Sequence, residues 1–229
     1  MTHRRVLITG AANGLGAAIA RHFADRGADL VLMDRDGDGL SAFAGARTIV
    51  LDLANADAVQ DAVGCLDGPV DTLIHNAAVL RPEPLVEVSL ATFRATMNVG
   101  IGAGFLLSKA LWPGMVANGG GALVFVSSQS GIRGFADETA YCAAKHALEG
   151  LSKCLAIEGA PHGILSCTVT PGHAMRTPMS ELNYPPELKA TWIDPARLAP
   201  AFAAIAERRD MAWSGRRLNA WEMVEEAAP

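Results

Sequence analysis

Short apolar runs that each stop at a glycine or a polar side chain, with helix-length segments between them, constrain this chain more than any other feature. The runs are Val6-Leu7-Ile8-Thr9, Leu30-Val31-Leu32-Met33, Ile49-Val50-Leu51-Asp52, Thr72-Leu73-Ile74-His75, residues 122–127, Ile164 to Thr170 and Arg217 to Trp221. Helical segments are expected near 15–26, 55–65 and 89–117, from Tyr141 to about Ala160, and from Ala196 to Arg209. Strands separated by helices connect through crossovers, which make them parallel and place helices on both faces. The expected fold class is α/β: one doubly wound parallel sheet of about seven strands.

Ligands of such sheets bind beyond the carboxyl ends of the strands. Gly10, Asp34, Asp52, Asn76 and Ser128 all lie at those ends. The first run passes into Gly10-Ala11-Ala12-Asn13-Gly14-Leu15-Gly16 and then into an apolar helical pattern that Gly27 ends. Glycines let a backbone approach a pyrophosphate, and the helix start supplies free N–H groups and partial positive charge. The spacing is G-x-x-x-G-x-G, so the loop by itself is equally an ordinary strand-to-helix turn. Asp34 follows by about the interval at which a dinucleotide fold places the acid that binds the adenosine ribose.

Ser128 closes the fifth run, and Tyr141 and Lys145 are spaced i, i+4, so they share one helix face. A free tyrosine has a pKa of about 10, too high for a base at neutral pH. A neighbouring ammonium favours the phenolate, and the pair becomes a proton donor and acceptor. Ser128 could hydrogen-bond the same substrate oxygen. Y-x-x-x-K occurs by chance in many helices, so its weight comes from the rest of the chain.

The 229 residues suit a single domain over 1–229, and no repeat or interdomain linker interrupts it. A net charge of −5 with no basic stripe argues against a nucleic-acid partner. Cys65, Cys142, Cys154 and Cys167 are dispersed in apolar segments, which predicts buried free thiols and no metal site. No run reaches transmembrane length and the first is too short for a signal-peptide core, so the expected location is the cytoplasm, with no membrane partner. Residues 173–195, rich in proline, read as a substrate loop or lid. Ile101 to Ala117 carries one charge, Lys109, so this helix is expected to be covered on nearly every side, with Pro113 kinking or ending it. Glu222 to Pro229 is expected to be a frayed tail.

Taken in order, the motifs resemble the short-chain dehydrogenase/reductase family over nearly the whole chain. T-G-x-x-x-G-x-G appears as Thr9 to Gly16, the acidic end of the second strand as Asp34, and D-[LV] as Asp52-Leu53. N-A-G appears as Asn76-Ala77-Ala78 and the helix asparagine as Asn98; Ser128, Tyr141/Lys145 and Pro171-Gly172 complete the series. Three departures stand out: Ala78 replaces a glycine, Cys167 an asparagine, and Thr177 lies one position later than the family's threonine. The carboxyl-terminal part is also shorter than usual for the family.

The resemblance implies a Rossmann-type fold and an NAD-dependent enzyme that moves a hydride between the cofactor and a secondary alcohol or ketone. Tyr141 would be the acid–base group, Lys145 would tune it and hold the nicotinamide ribose, and Ser128 would hydrogen-bond the reacting oxygen. Asn98 would hold a water linking Lys145 to solvent. The implied cofactor set is Gly10, Asn13, Leu15, Gly16, Asp34, Arg35, Asp52, Leu53, Asn76, Ala77, Ala78, Tyr141, Lys145, Pro171 and Gly172. Asp34 and the neutral Asn13 favour NAD over NADP, with Arg35 the one nearby group able to meet a 2′-phosphate. Gln129, Ser130, Phe135 and His173, with Ile132, Glu138 and Met175, are substrate-facing candidates; a backbone partner could equally satisfy His173. The pocket is mixed in character and names no substrate. Ala143, Gly150, Cys154 and Ile157, opposite the catalytic face, point to a homodimer or homotetramer. Two alternatives remain: a silent dinucleotide-binding sensor or scaffold, and an epimerase or dehydratase, which generally needs a larger substrate domain.

Overall fold

Leucine, isoleucine and valine fill seven strands: β1 (Arg5–Thr9), β2 (Asp29–Asp34), β3 (Arg47–Val50), β4 (Thr72–His75), β5 (Gly121–Val126), β6 (Ile164–Thr170) and β7 (Arg217–Asn219). The computed structural model describes residues 4–227. Every residue of β4, β5 and β6 is buried, as strands covered on both faces must be. β3, at one edge, alternates half-buried and exposed positions. The order is β3-β2-β1-β4-β5-β6-β7 and all six pairings are parallel. The winding therefore reverses between β1 and β4, and a crevice opens beyond their carboxyl ends.

The helices are α1 (Gly14–Asp25), α2 (Gly37–Leu40), α3 (Ala56–Gly64), α4 (Leu90–Met97), α5 (Ala103–Ala117), α6 (Thr139–Gly159), α7 (Pro178–Asn183), α8 (Ala199–Arg208) and α9 (Ala220–Glu226). Alternate strand residues feed two cores. Val6, Ile8, Leu32, Ile74 and Val124 pack with Ile19 and Phe23 of α1 and Phe202 and Ile205 of α8. Leu7, Val31, Leu73, Leu123 and Phe125 pack on the other side with Val59, Leu107, Leu111 and Leu148. Side-chain oxygens cap several helix starts: Asn55 accepts from Ala58 N, Ser89 from Thr92 N and Asn219 from Trp221 N.

The structure corrects several expectations. β3 stops at Val50, so Asp52 sits in the following turn, where its carboxylate accepts from Ala54 N. β7 stops at Asn219; that side chain caps α9, so residues 220–226 are helical and not a frayed tail, while 228–229 lie outside the described residues. Pro113 does not end α5. The helix from Leu90 to Ala117 is continuous and, by length and composition alone, long enough to cross a membrane, although its inner residues Ala103, Leu107 and Met115 are packed in the core. Its outer face is not covered within one chain: Phe105 is 48% exposed and Val116 37%. Cys65 and Cys154 are exposed; only Cys142 and Cys167 are buried.

Between α4 and α5 the chain widens into a π-helical turn, Asn98–Gly102. There the buried His75 ring donates from Nε2 to the Gly100 carbonyl at 2.9 Å, and a Cβ on Gly100 would come within 2.9 Å of Ala144 Cβ on α6. Such turns form where a side chain enters the helical hydrogen-bond ladder.

Candidate active site

A cleft of about 1350 Å³ runs along the carboxyl ends of the strands. It gathers the predicted Gly10, Asn13, Leu15, Asp34, Arg35, Asp52, Leu53, Asn76, Ala77, Ala78, Pro171 and Gly172. At its far end it takes in Ser128, Gln129, Ser130, Phe135, Glu138, Tyr141, Lys145, His173 and Met175. Gly16, Asn98 and Ile132 are not on its wall. Gly16 lies beneath the loop, where a Cβ would stand 1.9 Å from the Gly10 carbonyl oxygen. The Asn98 side chain is exposed and donates to Ala54 O at 3.0 Å, so it does not reach toward Lys145.

The glycine loop is held flat against the strand ends. Gly10 has φ +64° and donates to Met33 O, and the Asn76 amide donates to Thr9 O and Gly10 O. Thr9 Oγ1 accepts from Asn76 N and Ala77 N and lies 3.0 Å from His75 Nδ1. With Nε2 carrying the proton for Gly100, Nδ1 accepts from Thr9, and the chain of bonds closes. Burial pushes the His75 pKa down to about 4, so the ring is neutral. No side chain caps α1: Asn13 stands at the N-cap but donates instead to Asp36 Oδ2 at 2.7 Å. An uncapped helix start behind a close-packed glycine loop fits a pyrophosphate.

Beyond the loop, Asp34 accepts from Ala12 N and Asp36 N, one bond per oxygen at 3.0 Å. A carboxylate has about four acceptor positions, so each oxygen keeps one for a ligand hydroxyl. Asp36 accepts from Gly39 N, and this bond, with the Asn13 bond second, holds its pKa below the usual carboxylate range. Arg35 is exposed beside them. Asp34, Asp36 and Asp52 thus line this end of the cleft together with Arg35. These features fit an adenosine ribose.

At the other end Tyr141 and Lys145 share the inner face of α6, with the Lys145 ammonium 5.5 Å from the Tyr141 ring centre. Lys145 is buried, donates to Val126 O at 2.7 Å, and has its pKa pushed down to about 8 by burial, with Glu149 opposing. Burial also pushes the Tyr141 pKa up, while a hydrogen bond to Ser128 pulls it down and Tyr184 and Glu138 raise it further. The net shift of Tyr141 is therefore opposite to the expected lowering, and the hydrogen bond from Ser128, not Lys145, is what opposes burial. Ser128 Oγ accepts from Ser130 N at 3.2 Å, which fixes the side chain toward the cleft.

The substrate end holds a polar cluster that the sequence reading did not assemble. Buried Glu138 accepts from Ser130 Oγ at 2.9 Å and from Tyr184 Oη at 3.3 Å. Tyr184 belongs to the 173–195 segment, which folds as α7 and a short 3-10 turn and returns through a Met175–Ile193 bridge. Thr177 caps α7 and lies against the glycine loop: a Cβ on Gly14 would meet it at 3.2 Å. His173 is exposed, lies with its ring tilted 4.8 Å from that of Trp221 and has Nδ1 near Ala174 O, in keeping with the backbone-partner alternative. Two further residues were missed. Glu149 lies one turn beyond Lys145 on the same face, a placement readable in the sequence; Arg217 reaches it from β7, which was not. Among the described residues no three metal-binding side chains converge.

Comparison with known proteins gives a consistent result. A family model described as short chain dehydrogenase matches residues 4–187. L-xylulose reductase of Mesocricetus auratus is 38% identical over 192 residues, covering 82% of this chain and 78% of that protein. D-threitol dehydrogenase of Mycolicibacterium smegmatis is 35% identical over 176 residues, covering 72% and 68%. A short chain dehydrogenase from Escherichia coli CFT073, solved with NADPH, superposes with a TM-score of 0.86 at 28% identity, covering 95% of this chain and 96% of that one.

Proposed function

The chain belongs to the short chain dehydrogenase family and is a nicotinamide-dependent oxidoreductase, and we propose that it interconverts a small polyhydroxy alcohol and its ketone with NAD(H). The observation that carries this reading is the convergence of Ser128, Tyr141 and Lys145 beside the hydroxyl-rich Ser130–Glu138–Tyr184 cluster. When bound, the nicotinamide supplies or accepts the hydride.

The protein's own groups manage the oxygen and its proton. Tyr141 Oη–H gives its proton to the carbonyl oxygen in reduction, and its phenolate form takes the alcohol proton in oxidation. Ser128 Oγ–H donates to the same oxygen as negative charge grows on it. Lys145 gives one N–H to Val126 O and keeps two for ribose hydroxyls, which also fixes its charge beside the phenol. Glu138 is a buried acceptor for a second substrate hydroxyl, and Gln129, Phe135 and His173 form the rim. This polar end fits the ketose and polyol named for the two relatives better than an apolar alcohol.

NAD is favoured by charge. A 2′-phosphate would enter a group of three carboxylates with only Arg35 to oppose them, although the E. coli neighbour holds NADPH. A homo-oligomer is favoured by exposed apolar residues on neighbouring outer helices, Phe105 at 48% and Ile157 at 77%. Four free cysteines with no disulfide fit a reducing compartment such as the cytoplasm. A panel of tetritols, pentitols, ketoses and apolar secondary alcohols, each with NAD(H) and NADP(H), tests the reading. Polyols and ketoses should give the higher kcat/KM; turnover of apolar alcohols alone would overturn the substrate class.

A further inference from the structure

We propose that Arg217 and Glu149 form a positioning pair that sets the placement of Ser128 over Tyr141. The inference rests on the reading of Ser128 as donor to the reacting oxygen. Arg217 projects from β7 and uses two donors of its guanidinium at once: Nε donates to Glu149 Oε1 at 3.1 Å, and Nη2 donates to the Ser128 carbonyl oxygen at 2.8 Å. Glu149 is buried on α6, one turn beyond Lys145. Its carboxylate also accepts from Ser127 Oγ and, at 2.8 Å, from Thr168 Oγ1 of β6. The loop after β5 closes tightly over it: a Cβ on Gly131 would lie 2.6 Å from Ser127 Oγ and 3.2 Å from Glu149 Oε1.

One carboxylate and one guanidinium thus join the helix that carries Tyr141 and Lys145 to the peptide that carries Ser128. A mostly buried ion pair adds little net stability compared with apolar residues of the same size, because both charges lose water. It does impose direction, and the planar guanidinium fork suits two acceptors at fixed angles. The Ser128 carbonyl also accepts from Gly131 N at 2.9 Å, so the guanidinium is its second donor, and the two together restrain rotation of the peptide and with it the direction of Oγ. Hydrogen-bonding groups displaced by about 1 Å lose much of their catalytic effect.

A double-mutant cycle tests this, using the fastest substrate of the alcohol and ketone panel. Ser128→Ala should lower kcat on the order of 100-fold, and Arg217→Met about 10-fold. The double variant should be no slower than Ser128→Ala alone, and the KM for NAD should stay within about twofold. A merely structural role would multiply the same loss onto Ser128→Ala, and that result, or a native kcat in Arg217→Met, overturns the proposal. A Ser128→Ala variant with native kcat instead defeats the underlying reading of Ser128. If Arg217→Met does not fold, Glu149→Gln/Arg217→Met removes both charges together, and its loss must likewise vanish in the Ser128→Ala background.

Discussion

Gly16→Ala probes the cofactor cradle without needing a substrate. The added Cβ would lie 1.9 Å from the Gly10 carbonyl oxygen and 2.6 Å from Asn76 Nδ2. Relief requires a shift of about 1 Å, since close-packed atoms do not approach within that range. The Gly10 carbonyl cannot simply turn away. It accepts from the Asn76 amide at 3.1 Å, and Gly10 N is tied to Met33 O at 2.8 Å. The first turn of α1 must move outward instead, at a cost of about 3 kcal/mol, the upper end for overpacking. For a chain of this size that lowers Tm by roughly 6–12 °C. The same displacement takes the α1 N–H groups out of hydrogen-bond range of a pyrophosphate, so NADH affinity should fall on the order of 10-fold or more. Differential scanning calorimetry and NADH fluorescence titration read the two effects. Gly64→Ala is the control: nothing lies within 4 Å of its Cβ, and helix propensity predicts a change of at most about 1 kcal/mol in the stabilising direction. A Gly16→Ala protein with native Tm and native NADH affinity would refute the packing argument.

Asp34→Ala removes the acceptor that Ala12 N and Asp36 N orient, and should narrow the NAD preference in kcat/KM on the order of 10- to 100-fold; a native protein that prefers NADP would move the role to Arg35. Lys145 titrates near 8 in the fold against about 10.5 unfolded, so between those values the unfolded chain holds a proton the native state lacks, and stability from this group rises with pH. Tm followed from pH 8 to 10 should therefore gain more in the native protein than in Lys145→Met; parallel curves would contradict the burial of this ammonium. Ile157→Glu places a charge on the outer face of α6, so light scattering should show a native mass that is a multiple of 23.9 kDa and a smaller mass for the variant; a native mass of 23.9 kDa would reject the oligomer.

What the sequence made legible was local. Strand ends announce themselves by an apolar run that stops, so Gly10, Asp34, Asn76 and Ser128 were placed correctly, and an i, i+4 spacing put Tyr141 and Lys145 together on α6. What was missed depends on pairs distant in sequence. Arg217 and Glu149 are 68 positions apart, and nothing near either residue marks the other. Tyr184 meets Glu138 across 46 positions for the same reason. The π-helical turn is met at the Gly100 carbonyl by His75 of β4, 25 positions away, a contact that helical periodicity cannot register. The charged run after Trp221 hides a helix because its start depends on the Asn219 side chain, which accepts from Trp221 N and Glu222 N. The uncharged outer face of α6 was legible as one left open on a single chain, and Ile157 is 77% exposed there, whereas the near-complete cover expected for α5 is not met within one chain because apolar composition alone does not say which side packs.

The central claim is that Tyr141 moves the proton while the nicotinamide carries the hydride. Its most direct test is the kcat of Tyr141→Phe beside the native protein, on the fastest alcohol or ketone of the panel, together with the NADH dissociation constant of each. The phenyl ring keeps the packing on α6 and loses only the hydroxyl that contacts Ser128. The account predicts a fall in kcat on the order of 100-fold or more with NADH affinity within about twofold of native. Near-native turnover by Tyr141→Phe would contradict it.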